Sequence, residues 1–100
     1  MFSLYILYSN SSDKYYVGYT DDVFRRLKEH NFSEHLTYTS KHRPWILRKS
    51  IVIGSERNEA MRFEKAIKKC KSRKVIERIL EEVSTVEELA LLVKVFTTHR

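Results

Sequence analysis

The stretch KYYVGYTDDVFRRLKEHN, residues 14–31, joins two different patterns in one short run. Its first part, YYVGY (15–19), is rich in tyrosine and valine, which favour β-strands. Its second part, DVFRRLKEH (22–30), is typical of an amphipathic helix, because Val23 and Leu27 lie four residues apart and share one face. A threonine and two aspartates at the junction are residues that cap helix N-termini. The stretch therefore predicts a strand that leads directly into a helix.

A second strand precedes this stretch. FSLYILYS (2–9) is rich in β-forming residues and alternates its side chains in a way that predicts a half-buried strand. The turn-forming cluster NSSDK (10–14) follows, so the two strands are expected to form an antiparallel hairpin.

The register of this hairpin decides whether two tyrosines share a face of the sheet. One register pairs Ser9 with Lys14. In that register Tyr16 lies opposite Leu7 and on the same face as Tyr5. A register shifted by one residue would put the two tyrosines on opposite faces.

The remainder of the chain adds a strand and three helices. Residues 31–44, which contain the single proline, are predicted to form a loop, and WILRKSIVI (45–53) is predicted to form a third strand. A capping box from Thr85 to Glu88 opens the last helix. The predicted helices are the segment that begins at Asn58 (NEAMRFEKAIKKC), SRKVIERILEEV (72–83) and TVEELALLVKVF (85–96). The order ββαβααα predicts an α+β fold with a small three-stranded antiparallel β-sheet flanked by helices.

Length and composition limit the class of protein. A chain of 100 residues can bury one hydrophobic core, so a single domain is expected. Its one cysteine, Cys70, excludes an internal disulfide and a zinc site of several thiolates. The N-terminal run carries no positive charge ahead of its apolar residues, and no apolar stretch approaches the ~18 residues of a membrane span. These features predict a soluble, cytoplasmic protein with no membrane partner.

Positive charge is concentrated in the first three quarters of the chain. Residues 1–74 contain 16 Lys and Arg against 8 Asp and Glu, whereas residues 75–100 contain 3 against 5. A basic surface attracts the phosphates of nucleic acids, because their neutralisation releases counterions. A basic surface kept for solubility is an equally good interpretation of charge alone.

Two positions depart from the pattern of their elements. Gly18 is one of only two glycines and has tyrosines close on both sides. We expect it to let the backbone turn from strand to helix, so that a phosphate can approach those tyrosines; relief of a strand end is the simpler alternative. Glu64 lies among Ala60, Phe63 and Ile67, which places a carboxylate at the edge of an apolar helix face. A charge there is costly unless it is paired or binds a metal.

Five side chains suit phosphodiester hydrolysis, which needs a water nucleophile, a base, and positive charge near the phosphate. Glu64 can hold one Mg²⁺, and the planar fork of Arg26 can bind a phosphate oxygen. The phenols of Tyr5 and Tyr16, with an ordinary pKa of ~10, would need a metal or a cationic neighbour to act as bases. His30, with an ordinary pKa near neutrality, could relay a proton or orient a tyrosine.

Each of these side chains also has a purely structural interpretation. The tyrosines could be strand aromatics with one polar end. Arg26 and Glu64 could form a structural ion pair, and His30 could be a cation at a helix C-terminus. The joint occurrence of all five favours an active site.

Four motifs in a fixed order carry a resemblance to a known family. They are SLY (3–5), YVG (16–18), RRLKEHN (25–31) and AMRFEKAIKK (60–69). With these motifs the chain resembles the GIY-YIG nucleases over roughly residues 2–70. It looks especially similar to the structure-specific branch, whose members cut branched DNA, to the N-terminal nuclease domain of the excinuclease, and to small stand-alone bacterial members. Ser3 stands where the first motif has glycine, and the asparagine that some members place after the glutamate is not identifiable.

The resemblance implies a role for four of the candidate residues. Tyr5 would be the general base or its immediate partner, Tyr16 would position water and phosphate, and Arg26 would clamp the transition state. Glu64 would bind Mg²⁺ or Mn²⁺. The roles of the two tyrosines can be exchanged.

Basic residues outside these motifs are predicted to contact nucleic acid. They lie in YTSKHRPW (38–45), where aromatic residues alternate with basic ones and could stack a displaced base, and around KKCKSRK (68–74). The predicted contact residues are Lys41, Arg43, Lys65, Lys68, Lys69, Lys71, Arg73 and Lys74.

The prediction as a whole is a metal-dependent DNA endonuclease of DNA repair or recombination. Residues 1–83 would form the nuclease domain, and residues 84–100 a C-terminal helix packed on the same domain. Branched or damaged DNA is the expected substrate, with a partner protein as one source of specificity. A catalytically silent nucleic-acid-binding module is the alternative.

Overall fold

The computed structural model describes residues 1–35 and 37–98. The described residues form a three-stranded sheet and four α-helices in the predicted order ββαβααα, so the prediction of an α+β fold is confirmed. Residues 36, 99 and 100, which belong to the predicted loop and the predicted C-terminal segment, lie outside the described residues. The elements are β1 (Phe2–Ser9), β2 (Lys14–Thr20), α1 (Val23–Phe32), β3 (Trp45–Gly54), α2 (Arg57–Cys70), α3 (Arg73–Glu82) and α4 (Val86–Thr98).

The sheet has the strand order β2-β1-β3, and β1 runs antiparallel to both neighbours. Ser9 pairs with Lys14 and Leu7 with Tyr16, which confirms the register that places Tyr16 on the same face as Tyr5. In this register Gly18 lies directly opposite Tyr5.

The prediction of a half-buried first strand is wrong. Leu4, Tyr5, Ile6 and Leu7 are all at most 2% exposed, because β1 is the central strand and helices cover both faces of the sheet. A strand buried on both sides has apolar residues at consecutive positions and not only at alternate ones.

The two faces of β1 belong to two separate hydrophobic clusters. Leu4 and Ile6 join the larger cluster, which contains buried residues of α2, α3 and α4. Tyr5 and Leu7 join a smaller cluster together with the buried Trp45. Apolar residues of α1 pack against this smaller cluster. Because α1 lies on one face and α2 on the other, the two helices approach each other around the edge strand β2.

The helix that follows β2 begins as predicted. The side chain of Asp22 caps α1 by accepting a hydrogen bond from the backbone N–H of Arg25 at 3.1 Å. The helix continues to Phe32, two residues beyond the predicted end. The capping box of α4 is also confirmed, because Thr85 and Glu88 exchange hydrogen bonds between side chain and backbone.

The predicted loop between α1 and β3 contains a short 3₁₀-helix, Thr39–His42. Asn31 fixes the point at which this loop joins β3. Its side chain accepts a hydrogen bond from the backbone N–H of Trp45 at 2.6 Å and donates one to the carbonyl of Trp45 at 3.0 Å. These two hydrogen bonds hold the loop against the end of α1, so that Thr39 lies beside His30.

The C-terminal helix α4 packs on the main core, since Leu89 and Leu92 belong to the same cluster as Leu4 and Ile6. No helix within the described part of the chain is both long and apolar enough to span a bilayer.

Candidate active site

Four of the five candidate residues line one open cleft at the edge of β2. The cleft has a volume of about 370 Å³ and is lined by Tyr5, Tyr16, Arg26 and Glu64, together with Gly18. These residues come from β1, β2, α1 and α2, so two strands and two helices form the cleft together. The fifth candidate, His30, lies behind Tyr5.

Tyr5 is the buried centre of the site, with only 2% of its surface exposed. Its hydroxyl is 2.8 Å from Nε2 of His30, and Arg26 lies near enough for its positive charge to act on the phenol. Burial, reinforced by the nearby Tyr16, raises the pKa of the Tyr5 phenol well above its ordinary value, although Arg26 opposes the shift. The phenol is therefore protonated near neutral pH.

Gly18 serves a different purpose from the one predicted. It lies inside β2, and not at a turn between strand and helix, and the phenol ring of Tyr5 crosses over it. A Cβ at position 18 would overlap the Tyr5 hydroxyl and would lie 2.5 Å from Cζ of that ring. Glycine is needed here because Tyr5 occupies the space that any other side chain would fill.

His30 is a neutral, hydrogen-bonded residue of the interior. It is 4% exposed, and its burial, together with the positive charge of Arg26, lowers its pKa to about 4. The expectations of a near-neutral pKa and of a helix-end cation are therefore both wrong. Its Nδ1 is 3.0 Å from the hydroxyl of Thr39, which is 3.1 Å from the hydroxyl of the exposed Thr37. A chain of polar groups thus runs from Tyr5 through His30 towards solvent.

Tyr16 is half-buried, and its ring contacts both the buried His30 and the exposed Lys68. Its ring meets His30 edge-on with centroids 4.9 Å apart, and the ammonium of Lys68 lies 4.9 Å from its centroid. Such a cation–π contact places positive charge at the mouth of the cleft.

Arg26 and Glu64 do not form the ion pair that was the structural alternative. Among the described residues, Arg26 pairs with Glu29 at 2.9 Å and Glu64 with Lys68 at 3.7 Å. Both pairs are partly exposed, so they are weak and can be rearranged by a ligand.

The donor set of the cleft suits one kind of metal site. The described residues contain no group of three or more His, Cys, Asp or Glu side chains that could hold a metal together. Glu64 is 20% exposed and makes a long ion pair with Lys68, whereas Asp21 and Glu29 in the same cleft are closely bound to Arg25 and Arg26. Mg²⁺ commonly binds through one or two carboxylates and keeps several waters, so Glu64 fits Mg²⁺ or Mn²⁺ and does not fit a metal that requires a full protein cage.

The predicted nucleic-acid contacts fall into three groups. Lys68 lies at the mouth of the cleft, over the ring of Tyr16. Two arginines are engaged within the protein: Arg43 donates to the carbonyls of His30 and Ser33 at 2.6 and 2.8 Å, and Arg73 pairs with Asp13 at 2.8 Å. The third group contains the remaining predicted contacts, which are exposed lysines outside the cleft: Lys41, Lys65, Lys69, Lys71 and Lys74.

Several residues of the site were not predicted from the sequence, and three of them, Arg25, Arg57 and Thr39, bear on its chemistry. Arg25 and Arg57 line the cleft and add positive charge to its walls, and Thr39 holds the second nitrogen of His30. The position of Arg25 next to Arg26 was a usable signal. Nothing in the sequence pattern distinguishes Arg57 or Thr39, because their roles depend on how α2 and the 3₁₀-helix pack.

Comparisons with known proteins agree with this geometry. A family model described as the GIY-YIG catalytic domain matches residues 1–77, a range that contains every residue of the cleft. A UPF0213 protein of Halobacterium salinarum is similar to this chain, with 45% identity over 58 residues, which are 58% of this chain and 74% of that protein.

We predict that Gly18→Ala destabilises the fold through Tyr5. Overpacking against the phenol ring should lower the free energy of unfolding by about 1–3 kcal/mol, as measured by urea denaturation. The same substitution should cost clearly less in a Tyr5→Leu background, because leucine lacks the ring atoms that overlap the new methyl group. An equal cost in both backgrounds would show that Tyr5 is not the reason for the glycine.

We also predict that neutral His30 makes stability depend on pH. A free imidazole takes up its proton near pH 6.5, whereas folded His30 does so at about pH 4, so the unfolded chain binds this proton first as the pH falls. The contribution of His30 should be complete above pH 6.5 and should fall by on the order of 3 kcal/mol as the pH approaches 4. Urea denaturation of wild type, His30→Gln and the exposed-site control His35→Gln measures this. Parallel pH profiles for wild type and His30→Gln would contradict the prediction.

Proposed function

Because the chain belongs to the GIY-YIG family, we propose that it is a divalent-metal-dependent DNA endonuclease that hydrolyses phosphodiester bonds in the cleft beside β2. The observation that carries this proposal is the meeting of Tyr5, Tyr16, Arg26 and Glu64 in one cleft, although they are spread over about sixty positions of the chain. The resemblance to the structure-specific branch supports branched or damaged DNA as the substrate and a role in repair or recombination.

The arginines of the cleft bind the scissile phosphate. Arg26 has a planar guanidinium that can make two parallel hydrogen bonds to phosphate oxygens, and it can exchange Glu29 for this ligand because that ion pair is exposed. Arg25 and Arg57 add positive charge on either side. Together the three arginines stabilise the negative charge that develops on the phosphate oxygens when water attacks.

Glu64 is the residue that would hold the metal. Glu64 lines the cleft from α2, whereas Arg25 and Arg26 line it from α1, so a phosphate bound in the cleft would meet residues of both helices. When bound, a divalent cation would stabilise negative charge on the phosphate oxygens and on the leaving group.

The two tyrosines handle the attacking water. Tyr16, at the cleft surface, positions water and phosphate through its hydroxyl. Because burial raises the pKa of Tyr5, its phenol is already protonated near neutral pH. Tyr5 can therefore accept a proton from the attacking water only if it gives up its own hydroxyl proton. Neutral His30 can take that proton on Nε2 while its Nδ1 gives a proton to the hydroxyl of Thr39. Thr39 in turn passes its own hydroxyl proton to the exposed Thr37 and so to solvent, which means that no imidazolium forms and no group keeps an extra proton. The depressed pKa of His30 suits such a transfer, because burial disfavours the charged form.

We predict that Glu64→Gln and Arg26→Ala each reduce the rate of DNA nicking by about a hundredfold or more, because each removes charge that acts on the phosphate. The assay is nicking of supercoiled plasmid and of a branched oligonucleotide duplex with Mg²⁺ or Mn²⁺, each compared with an EDTA control. Matched controls are Glu59→Gln, on the same helix as Glu64 but outside the cleft, and Lys28→Ala on α1.

Full activity in Glu64→Gln or in Arg26→Ala would refute the assignment of the site. If the wild-type protein binds DNA in a salt-dependent way and cuts none of these substrates with either metal, the silent binding module is the better description.

A further inference from the structure

A second groove lies next to the cleft and shares Tyr16 with it. It has a volume of about 370 Å³ and runs between the start of β2 and the junction of α2 and α3. The residues that line it and matter here are Lys14, Tyr15, Tyr38, Lys68, Lys71 and Arg73. The proposed hydrolysis uses none of them.

Tyr38 is an exposed aromatic side chain that is nevertheless held in place. It is 53% exposed, and its ring contacts that of His42 with centroids 4.8 Å apart. His42 is fixed in turn by a hydrogen bond between its Nδ1 and the hydroxyl of Ser12 at 2.8 Å. A large aromatic surface that is accessible and pre-positioned is a platform on which a nucleic-acid base can stack at little entropic cost.

The charge around Tyr38 is positive. The ammonium of Lys14 lies 6.0 Å from the Tyr38 ring, and Lys68 and Lys71 line the same groove. Asp13 also lines it, but its carboxylate is bound to Arg73 and to the hydroxyl of Tyr8. Lys68 is paired with Glu64. Within the described part of the chain, Lys14 and Lys71 are therefore the lysines of the groove that remain to meet a ligand, and their charge matches the phosphates of a nucleic-acid strand.

Continuity with the cleft indicates where such a strand would run. Tyr16 lines both cavities, and Lys68 lies over its ring at their junction. A strand cut in the cleft would pass Tyr16 and enter the groove with its next nucleotides. Stacking on Tyr38 requires a base whose face is free of its duplex neighbour, so the contact selects unpaired nucleotides.

We propose that this groove binds an unpaired segment of DNA adjoining the scissile phosphodiester, with Tyr38 stacking on a base and Lys14 and Lys71 contacting phosphates. This inference rests on the proposed nuclease function for the identity of the ligand, and it adds the reason why branched DNA, which carries unpaired nucleotides beside a duplex, is the substrate.

Binding to the groove is measured separately from cleavage. The Glu64→Gln protein, with EDTA present, is titrated against fluorescein-labelled oligothymidine and against the same strand annealed to oligodeoxyadenosine, by fluorescence anisotropy at fixed salt. Tyr38→Ala should weaken binding of the single strand by about 5-fold to 100-fold and should change duplex binding by less than about 2-fold. Tyr38→Phe, which keeps the ring, should bind like the parent protein.

A second pair of variants tests the charge of the groove. Lys71→Asn should weaken binding of the single strand, whereas Lys28→Asn, which removes an exposed lysine of α1 outside both the groove and the predicted contacts, should not. Asparagine is chosen because residue 71 has a left-handed backbone with φ of 48°, which asparagine tolerates. If Tyr38→Ala has a changed circular dichroism spectrum, this pair decides the question.

Equal binding by Tyr38→Ala and its parent, or equal losses for single strand and duplex, would overturn the inference while leaving the nuclease function intact. If the wild-type protein cuts no DNA and the anisotropy pattern still holds, the nuclease proposal fails and the groove assignment stands.

Discussion

The hydrogen bond between Tyr5 and His30 is the contact around which the site is organised. Tyr5 belongs to the central strand and His30 to the helix that covers it, so this 2.8 Å contact fixes α1 relative to the sheet. The same contact places Arg26, one turn earlier on α1, beside the Tyr5 hydroxyl. Gly18 is required because the ring of Tyr5 lies over it. Residues 14–31 therefore supply the glycine beneath the Tyr5 ring and the two side chains, Arg26 and His30, that surround its hydroxyl, whereas Tyr5 itself comes from the preceding strand.

The site divides into a neutral interior and a charged surface. Tyr5 and His30 are buried, and burial shifts the pKa of each towards its uncharged form. Arg26 and Glu64 line an open cleft, to which they come from α1 and α2. The interior pair sets geometry and can move a proton without creating a buried ion. In the proposed function the surface pair binds a phosphate and a metal, which are ligands that would be costly to bury.

Sequence patterns predicted the order of elements and four of the residues of the cleft, and they gave the observed hairpin register as one of two alternatives. They did so because alternation, helical periodicity and capping residues act over short distances in the chain. They failed where the outcome depends on packing between distant segments. The burial of β1 on both faces, the use of Arg43 to hold a loop, the depressed pKa of His30 and the tyrosine ring over Gly18 all arise from contacts that no local pattern records.

The proposed function depends most on Glu64 holding a divalent cation in the same cleft as Tyr16 and Gly18. Line broadening by Mn²⁺ in the NMR spectrum of the isotope-labelled protein tests this directly, because paramagnetic broadening falls steeply with distance from the ion. We expect the resonances of Glu64, Tyr16 and Gly18 to broaden first, and Glu64→Gln to remove this effect. Broadening centred on the carboxylates of α3 or α4, or a pattern that Glu64→Gln leaves unchanged, would contradict the assignment.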